Sequence, residues 1–149
     1  MNQITLSALA FLGGIFLALQ GGLNAHLGVL LKNPLLASVI AFFSSFMFAM
    51  IIAVFSIDKF PSVNQLKGVP TYLWFTGGLF SVIGISLYYY TIPKLGVSTM
   101  ISLGLCGQLI FAVIAGHYGW LNLPIEPLTF KRISGIIAMI AGILLINWK

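Results

Sequence analysis

Residues 4–31 read ITLSALAFLGGIFLALQGGLNAHLGVLL and contain no Lys, Arg, Asp or Glu. A helix needs about 20 apolar residues to cross the hydrocarbon core of a bilayer, so this stretch alone is long enough to span a membrane. Three further stretches, 33–57, 68–93 and 95–125, also lack charged side chains. The chain is therefore expected to lie mostly inside a bilayer.

The overall composition also favours a membrane protein. Of the 149 residues, 60% are hydrophobic and 6% are charged, and the mean hydropathy is +1.09. Soluble domains carry about 25% charged residues, and a soluble chain of this composition would expose larger apolar patches than monomers tolerate. The net charge of +5 does not indicate nucleic-acid binding, because the basic residues lie between or just beyond the apolar stretches, as interfacial anchors do.

Prolines, glycines and charged residues divide the chain into five predicted membrane helices. Their predicted bounds are about 4–31, 35–57, 71–92, 97–118 and 133–148. Pro34 is well placed to begin the second helix, and the third is expected to stop at Pro93. The last helix is short, with 16 residues after Arg132, and can cross if Leu128 and Phe130 enter the interface. The prediction is one all-α membrane domain over residues 1–149.

The basic residues give a weak signal for orientation. With the amino terminus inside, four lie on the inner side and three on the outer side. The inner residues are Lys59, Lys67, Lys131 and Arg132, and the outer residues are Lys32, Lys94 and Lys149. This bias favours an internal amino terminus and leaves open insertion in both orientations, with antiparallel pairing of two copies.

Amide side chains inside the apolar spans are the sharpest functional signal. Gln20 and Asn24 lie one turn apart in the first helix, and Gln108 lies near the middle of the fourth. An amide in hydrocarbon costs several kcal/mol unless it is paired. These side chains should therefore face each other, another subunit or a watery pocket. Two interpretations stay open: hydrogen bonds that hold helices together, or the lining of a solute pathway.

Small residues recur at three- and four-residue steps in the first, third and fifth predicted helices, and such faces let helix backbones approach closely. In the fifth helix they favour a seam of a dimer or bundle, whereas in the first and third they also allow packing beside a cavity. The predicted helix-packing residues are Gly14, Gly21, Gly77, Gly84, Gly104, Gly135 and Gly142.

The residues that most enzymes and proton-coupled transporters need are missing. Asp58 and Glu126 are the only acids, and both fall in predicted loops, so the spans contain no carboxylate for proton exchange. Cys106 is the only cysteine, and the two histidines lack further ligands, so neither a metal site nor a cofactor is predicted. The sequence also lacks a phosphate-binding Gly-Lys-Ser/Thr loop and an acid–base pair, and no enzyme is predicted.

Several short segments, in order along the chain, resemble one family. Residues 19–28, LQGGLNAHLG, are similar to that family's Gln-Gly-x-x-Asn-x-x-Leu-Gly segment, and residues 93–96 to its Pro-basic-Leu-Gly turn. The remaining similar elements are Gly77-Gly78 after Trp74, Gly107-Gln108, and Arg132, Gly135 and 142–146 in the closing helix. Together they resemble the YdcZ-like inner-membrane proteins, a short branch of the drug/metabolite transporter superfamily.

The resemblance implies an architecture and an activity. Larger superfamily members contain two inverted five-helix halves with the substrate at their interface, and this chain corresponds to one half. It would form a homodimer, or a heterodimer with a related small membrane protein, in the bacterial cytoplasmic membrane. The implied function is export of a small metabolite or drug-like solute by alternating access, along a pathway lined by Gln20, Asn24, Tyr88 and Gln108.

One segment departs from the family pattern. The family often has Asp-His-aromatic-Gly at the end of the fourth helix, and this chain has Gly116-His117-Tyr118-Gly119. His117 is then the remaining ionisable group for that end of the pathway. Two other functions stay open: a non-transporting subunit of a hetero-oligomer, and a flippase for a lipid-linked headgroup.

Overall fold

The computed structural model describes residues 2–58, 60–122 and 124–148. Over these residues the structure is helical, with no strand, and five helices are long and apolar enough to cross a membrane. The helices are α1 (Gln3–Leu30), α2 (Pro34–Ser56), the short α3 (Val63–Lys67), α4 (Thr76–Leu95), α5 (Val97–His117) and α6 (Phe130–Asn147). Single 3₁₀ turns cover Thr71–Trp74 and Trp120–Asn122. The predicted all-α membrane fold is confirmed.

The chain divides into two compact units, Met1–Lys94 and Leu95–Lys149. The first unit contains α1, α2, α3 and nearly all of α4, and the second contains α5 and α6. The single-domain organisation stays a prediction. Lys59 and Lys149, two of the residues used to predict orientation, lie outside the described residues.

A tight turn joins α1 to α2. Lys32 adopts a left-handed conformation with φ of 51°, and the Asn33 side chain accepts hydrogen bonds from the backbone N–H groups of Leu35 and Leu36 at 3.0 and 3.1 Å. Pro34 is the first residue of α2, as predicted, because a proline there loses no helical hydrogen bond. This cap satisfies backbone donors that would otherwise be exposed at the membrane boundary.

The packed part of the first unit lies at the end of α1 and α2 that this turn joins. The buried residues are Gly21, Ala25 and Gly28 of α1, Ala37, Ser38 and Ala41 of α2, and Tyr89 and Ile92 of α4. A Cβ on Gly28 would lie 3.3 Å from Pro34 Cα and 3.5 Å from the Cβ of Ala37. A side chain at residue 28 would press against Pro34, so glycine favours this close approach of α1 and α2. Toward the other end of the unit, nearly all side chains of the three helices are exposed, and Ala53 and Thr76 are half-buried.

The structure differs from the predicted bounds at both ends of α4, in the loop after α2 and at the start of α6. α4 begins at Thr76 instead of about residue 71, after a separate 3₁₀ turn over Thr71–Trp74. Pro93 lies inside α4, which continues to Leu95 and ends before Gly96. A proline in the last turn costs a single helical hydrogen bond, to the carbonyl of Tyr89, so the helix does not stop there. Residues 58–70, which the predicted bounds leave as a loop between the second and third helices, contain α3, and α3 begins with a capping box formed by Ser62 and Gln65.

The last helix begins earlier than predicted. α6 starts at Phe130, because Thr129 caps it by accepting a hydrogen bond from the backbone N–H of Arg132 at 3.3 Å. Its 18 residues reach about 27 Å at 1.5 Å per residue. That length nearly matches the hydrocarbon core of about 30 Å.

Candidate functional site

A hydrogen bond between two membrane helices is the centre of the candidate site in the first unit. The Asn24 Nδ2 atom of α1 donates to the Tyr89 hydroxyl of α4 at 3.0 Å. Tyr89 is 1% exposed, and Asn24 is half-buried. An amide and a phenol can pair inside an apolar span without either polar group being left in hydrocarbon. The Asn24 amide thus has a partner within the chain itself.

A second polar contact lies one turn away on α4. Ser86 donates from its hydroxyl to the hydroxyl oxygen of Ser38 in α2 at 3.0 Å, and Ser38 donates to the carbonyl of Pro34 at 3.1 Å. Ser38 is 1% exposed. Residues three apart share one side of a helix, so the same side of α4 bonds to α1 through Tyr89 and to α2 through Ser86.

Gln20 and Tyr88 lie beside this pair. Gln20 is half-buried one turn before Asn24 on α1, and no hydrogen bond to its side chain is found among the described residues. Tyr88 is also half-buried, but its neighbour Tyr89 makes the contact with Asn24. In a helix successive residues are about 100° apart, so Tyr88 faces a different direction from Tyr89. Sequence reasoning placed Tyr88 in the pathway and missed Tyr89.

The other two predicted pathway residues belong to the second unit. Gln108 and His117 are both exposed on α5, and the ring of His117 packs edge-on against Tyr118 with centroids 5.0 Å apart. Nine residues of helix rotate the side-chain direction by about 180°. Gln108 and His117 consequently lie on opposite faces of α5, with His117 at its last residue.

A polar pair that sequence reasoning missed joins α5 to α6. The Asn147 Nδ2 atom donates to the Ser102 hydroxyl oxygen at 2.9 Å and to the carbonyl of Ile143 at 2.8 Å. Asn147 Oδ1 is buried without a hydrogen-bond partner among the described residues. The sequence does contain a signal for this contact, because Asn147 is an amide side chain in an apolar span, as Gln20 and Asn24 are.

An ion pair occupies the position beside Gly116. Glu126 and Arg132 are paired, and Arg132 Nη1 also donates to the Glu126 carbonyl at 3.2 Å. The backbone N–H of Glu126 donates to the Gly116 carbonyl at 2.9 Å. A Cβ on Gly116 would lie 3.6 Å from Glu126 Oε2 and 3.9 Å from Arg132 Nη2. The family pattern implies an acid at residue 116. In this chain the Glu126 carboxylate, which comes from the loop, lies next to that position instead.

The predicted packing glycines fall into two groups. A Cβ on Gly21 would lie 3.5 Å from Ile92 Cδ1, so Gly21 packs against α4, and Gly104 is half-buried in α5. The others have no described atom within 4 Å of a Cβ: Gly14, Gly77, Gly84, Gly135 and Gly142. These five faces are open, and their packing against another copy stays a prediction.

Among the described residues, no group of three or more His, Cys, Asp or Glu side chains is placed to hold a metal ion. Cys106 is half-buried in α5. Ionisable side chains of the described spans lie toward helix ends, at His26, Lys94, His117, Lys131 and Arg132, apart from the Cys106 thiol. The other polar side chains inside these spans are neutral amides and hydroxyls. Such groups can orient and hydrogen-bond a solute, and they carry no charge of their own.

The chain matches the model of one known protein family over nearly its whole length. A family model described as "Putative inner membrane exporter, YdcZ" matches residues 5–145, which is nearly the whole chain. No curated protein and no solved structure matches it. The family match and the five apolar helices place the protein in the inner membrane as a multi-pass protein, and confirm the resemblance found in its motifs. The chain therefore belongs to the YdcZ family of inner-membrane proteins.

Proposed function

We propose that the protein exports a neutral or zwitterionic small solute as a dimer, by alternating access between two five-helix halves. The family description supports export as the activity. The observation that carries the more specific proposal is the Asn24–Tyr89 hydrogen bond beside the half-buried Gln20, within an otherwise apolar span. An unpaired amide is costly in hydrocarbon, so Gln20 requires a second copy, water or solute beside it.

The packing of the first unit supports the same proposal. Its helices are buried at one end and exposed toward the other, which is a shape that a second copy can complete. Inverted-repeat transporters bind substrate between two such halves near the bilayer midplane. Gln20, Asn24, Tyr88 and Gln108 would supply amide and hydroxyl contacts to the solute, and His117 lies at the end of the pathway. Gly77, Gly84 and Gly104 would let helices slide past one another.

The solute class follows from the charges in the spans. Asp58 and Glu126, the only acids, lie outside the membrane helices. A cationic substrate would then lack a counter-charge inside the bilayer, which is costly. An anionic substrate would find basic residues only at helix ends, at Lys94 in the last turn of α4 and at Lys131 and Arg132 in the first turn of α6. Amides accept and donate hydrogen bonds at once, so they suit a solute with both donors and acceptors.

A vesicle assay tests the proposal. Purified protein is reconstituted into liposomes loaded with a mixture of isotopically labelled neutral amino acids, sugars and polyols, and efflux is followed by mass spectrometry. We expect faster efflux of at least one solute than from protein-free vesicles, with loss of that excess in Asn24→Leu and Gln108→Leu. Leu23→Ala, at an exposed α1 position, is the matched control.

Two outcomes of this assay contradict the proposal. Equal efflux from protein-containing and protein-free vesicles for every solute would favour a non-transporting subunit. Undiminished efflux by folded Asn24→Leu and Gln108→Leu proteins would remove these amides from the pathway.

A further inference from the structure

A groove between α5 and α6 has apolar walls and a basic mouth. Its volume is about 310 Å³, at the lower end of the range for small-molecule sites. Ala112 and Val113 of α5 form one wall, and Gly135 and Met139 of α6 form the other. A Cβ on Gly135 would meet no described atom within 4 Å. The missing side chain of Gly135 therefore keeps this space open.

Two cationic side chains lie at the mouth, and only one of them is in an ion pair within the described part of the chain. Lys131 and Arg132 both line the groove. The Arg132 guanidinium is paired with Glu126 and donates to its carbonyl, so its charge is balanced. No ion pair to the Lys131 ammonium is found among the described residues, and this side chain is exposed. Lys131 is therefore an uncompensated positive charge beside an apolar groove.

The position of the mouth adds to this positive charge. Lys131 and Arg132 are the second and third residues of α6, whose first residue is Phe130. The amino end of a helix carries a partial positive charge that favours anions. Lys131 lies where the apolar span meets the polar loop, which is the depth of lipid headgroups.

We propose that this groove binds an anionic phospholipid of the surrounding bilayer, with its phosphate at Lys131 and one acyl chain along Gly135 and Met139. The groove lies between two membrane-spanning helices, so hydrocarbon chains are the molecules that reach it. Basic pockets between membrane helices bind acidic headgroups. Because the charge of Arg132 is balanced by Glu126, Lys131 is the residue that would favour an anionic headgroup over a neutral one. The lipid is a bound component of the protein rather than its transported solute.

Native mass spectrometry of the detergent-purified protein tests this site. Phosphatidylglycerol and phosphatidylcholine with the same acyl chains are added at equal concentration, and retained lipid is counted. One lysine near an acidic headgroup is worth roughly a fivefold preference in binding. The wild-type protein should therefore retain phosphatidylglycerol over phosphatidylcholine by about that factor. Lys131→Gln should abolish the preference. Lys67→Gln, which removes a lysine from α3 instead, should leave it unchanged.

A second pair of variants tests the acyl-chain groove. Gly135→Leu should reduce retention of both lipids, because its side chain fills the groove, while Gly135→Ala should have a smaller effect. Unchanged helicity by circular dichroism confirms that the variants remain folded. The proposal is overturned if Lys131→Gln keeps the phosphatidylglycerol preference, or if Gly135→Leu retains lipid as well as wild type. Displacement of phosphatidylglycerol by millimolar inorganic phosphate would likewise overturn it, by showing a simple anion site.

Discussion

The Tyr89 hydroxyl, which is buried, accepts a hydrogen bond from Asn24 between α1 and α4. We expect Tyr89→Phe to lower the stability of the protein by about 1 kcal/mol, the usual size of a hydrogen bond between membrane helices. Thermal unfolding in detergent measures the change. Tyr90→Phe is the matched control, because Tyr90 is exposed and its ring keeps its contact with Lys94. Equal midpoints for the two variants would contradict the role assigned to Tyr89.

The three consecutive tyrosines show what a sequence can and cannot predict at the scale of residues. The cost of a buried amide predicts that Asn24 needs a partner. Residues 88, 89 and 90 all have the required hydroxyl, and their order gives no indication of which one faces α1. That choice depends on how α4 is rotated against α1 and α2, where Ser86 and Ile92 also make contact.

At the scale of elements, the α1–α2 hairpin depends on the absence of a side chain at Gly28. We expect Gly28→Val to destabilise the protein by about 1–3 kcal/mol, the usual cost of overpacking, because its Cβ would lie 3.3 Å from Pro34 Cα. Gly13→Val is the control in the same helix, since a Cβ there has no described atom within 4 Å. Thermal unfolding should separate the two variants. Similar losses in both would mean that helix propensity, rather than this contact, sets the cost.

The loop between α5 and α6 is held by the Glu126–Arg132 ion pair. We expect Glu126→Gln to speed tryptic cleavage at Lys131 and Arg132 several-fold, because the ion pair is lost and only the hydrogen bond from Arg132 Nη1 to the carbonyl of residue 126 still joins the loop to α6. Adding Gly116→Asp should slow cleavage again, since a carboxylate at that position lies next to Arg132. Asp58→Asn, at the other acidic residue of the chain, should not change the rate at these two sites. Failure of the double variant to recover would show that residue 116 cannot replace Glu126.

The membrane spans were predictable because length and apolarity alone determine them. All five predicted helices are present, with ends that shift by a few residues where a local feature intervenes. The shifts arise from side chains that cap helices, such as Thr129 and Ser62, and from Pro93 in a last turn. The contacts of Asn147 and Glu126 were not predicted, because they depend on which helix faces which, and an apolar span looks similar on all sides.

At the scale of the whole molecule, the account requires that two copies meet. α6 offers an open small face at Gly142, where a Cβ would contact no described atom within 4 Å. Gly142→Leu should therefore leave the single chain folded and reduce the dimer fraction by roughly tenfold, because close helix contact needs small residues. Chemical crosslinking in membranes measures this fraction. Ala141→Leu, on an adjacent face of the helix, is the control, and equal crosslinking of both variants would exclude this seam.

Export along the proposed route requires Gln20 and Asn24 to border a watery pathway rather than a dry, fully packed interior. Cys106 is the only native cysteine, so a Cys106→Ser background allows single cysteines to be placed at chosen positions. Thiols react with a membrane-impermeant maleimide as thiolates, which form readily in water and poorly in apolar surroundings. Labelling of Gln20→Cys in intact membrane vesicles, compared with Leu19→Cys and Leu23→Cys on exposed apolar positions of α1, is the most direct measurement. We expect Gln20→Cys to be labelled and both leucine positions to stay unlabelled, whereas equal protection of all three would mean that Gln20 lies in a dry, packed interior.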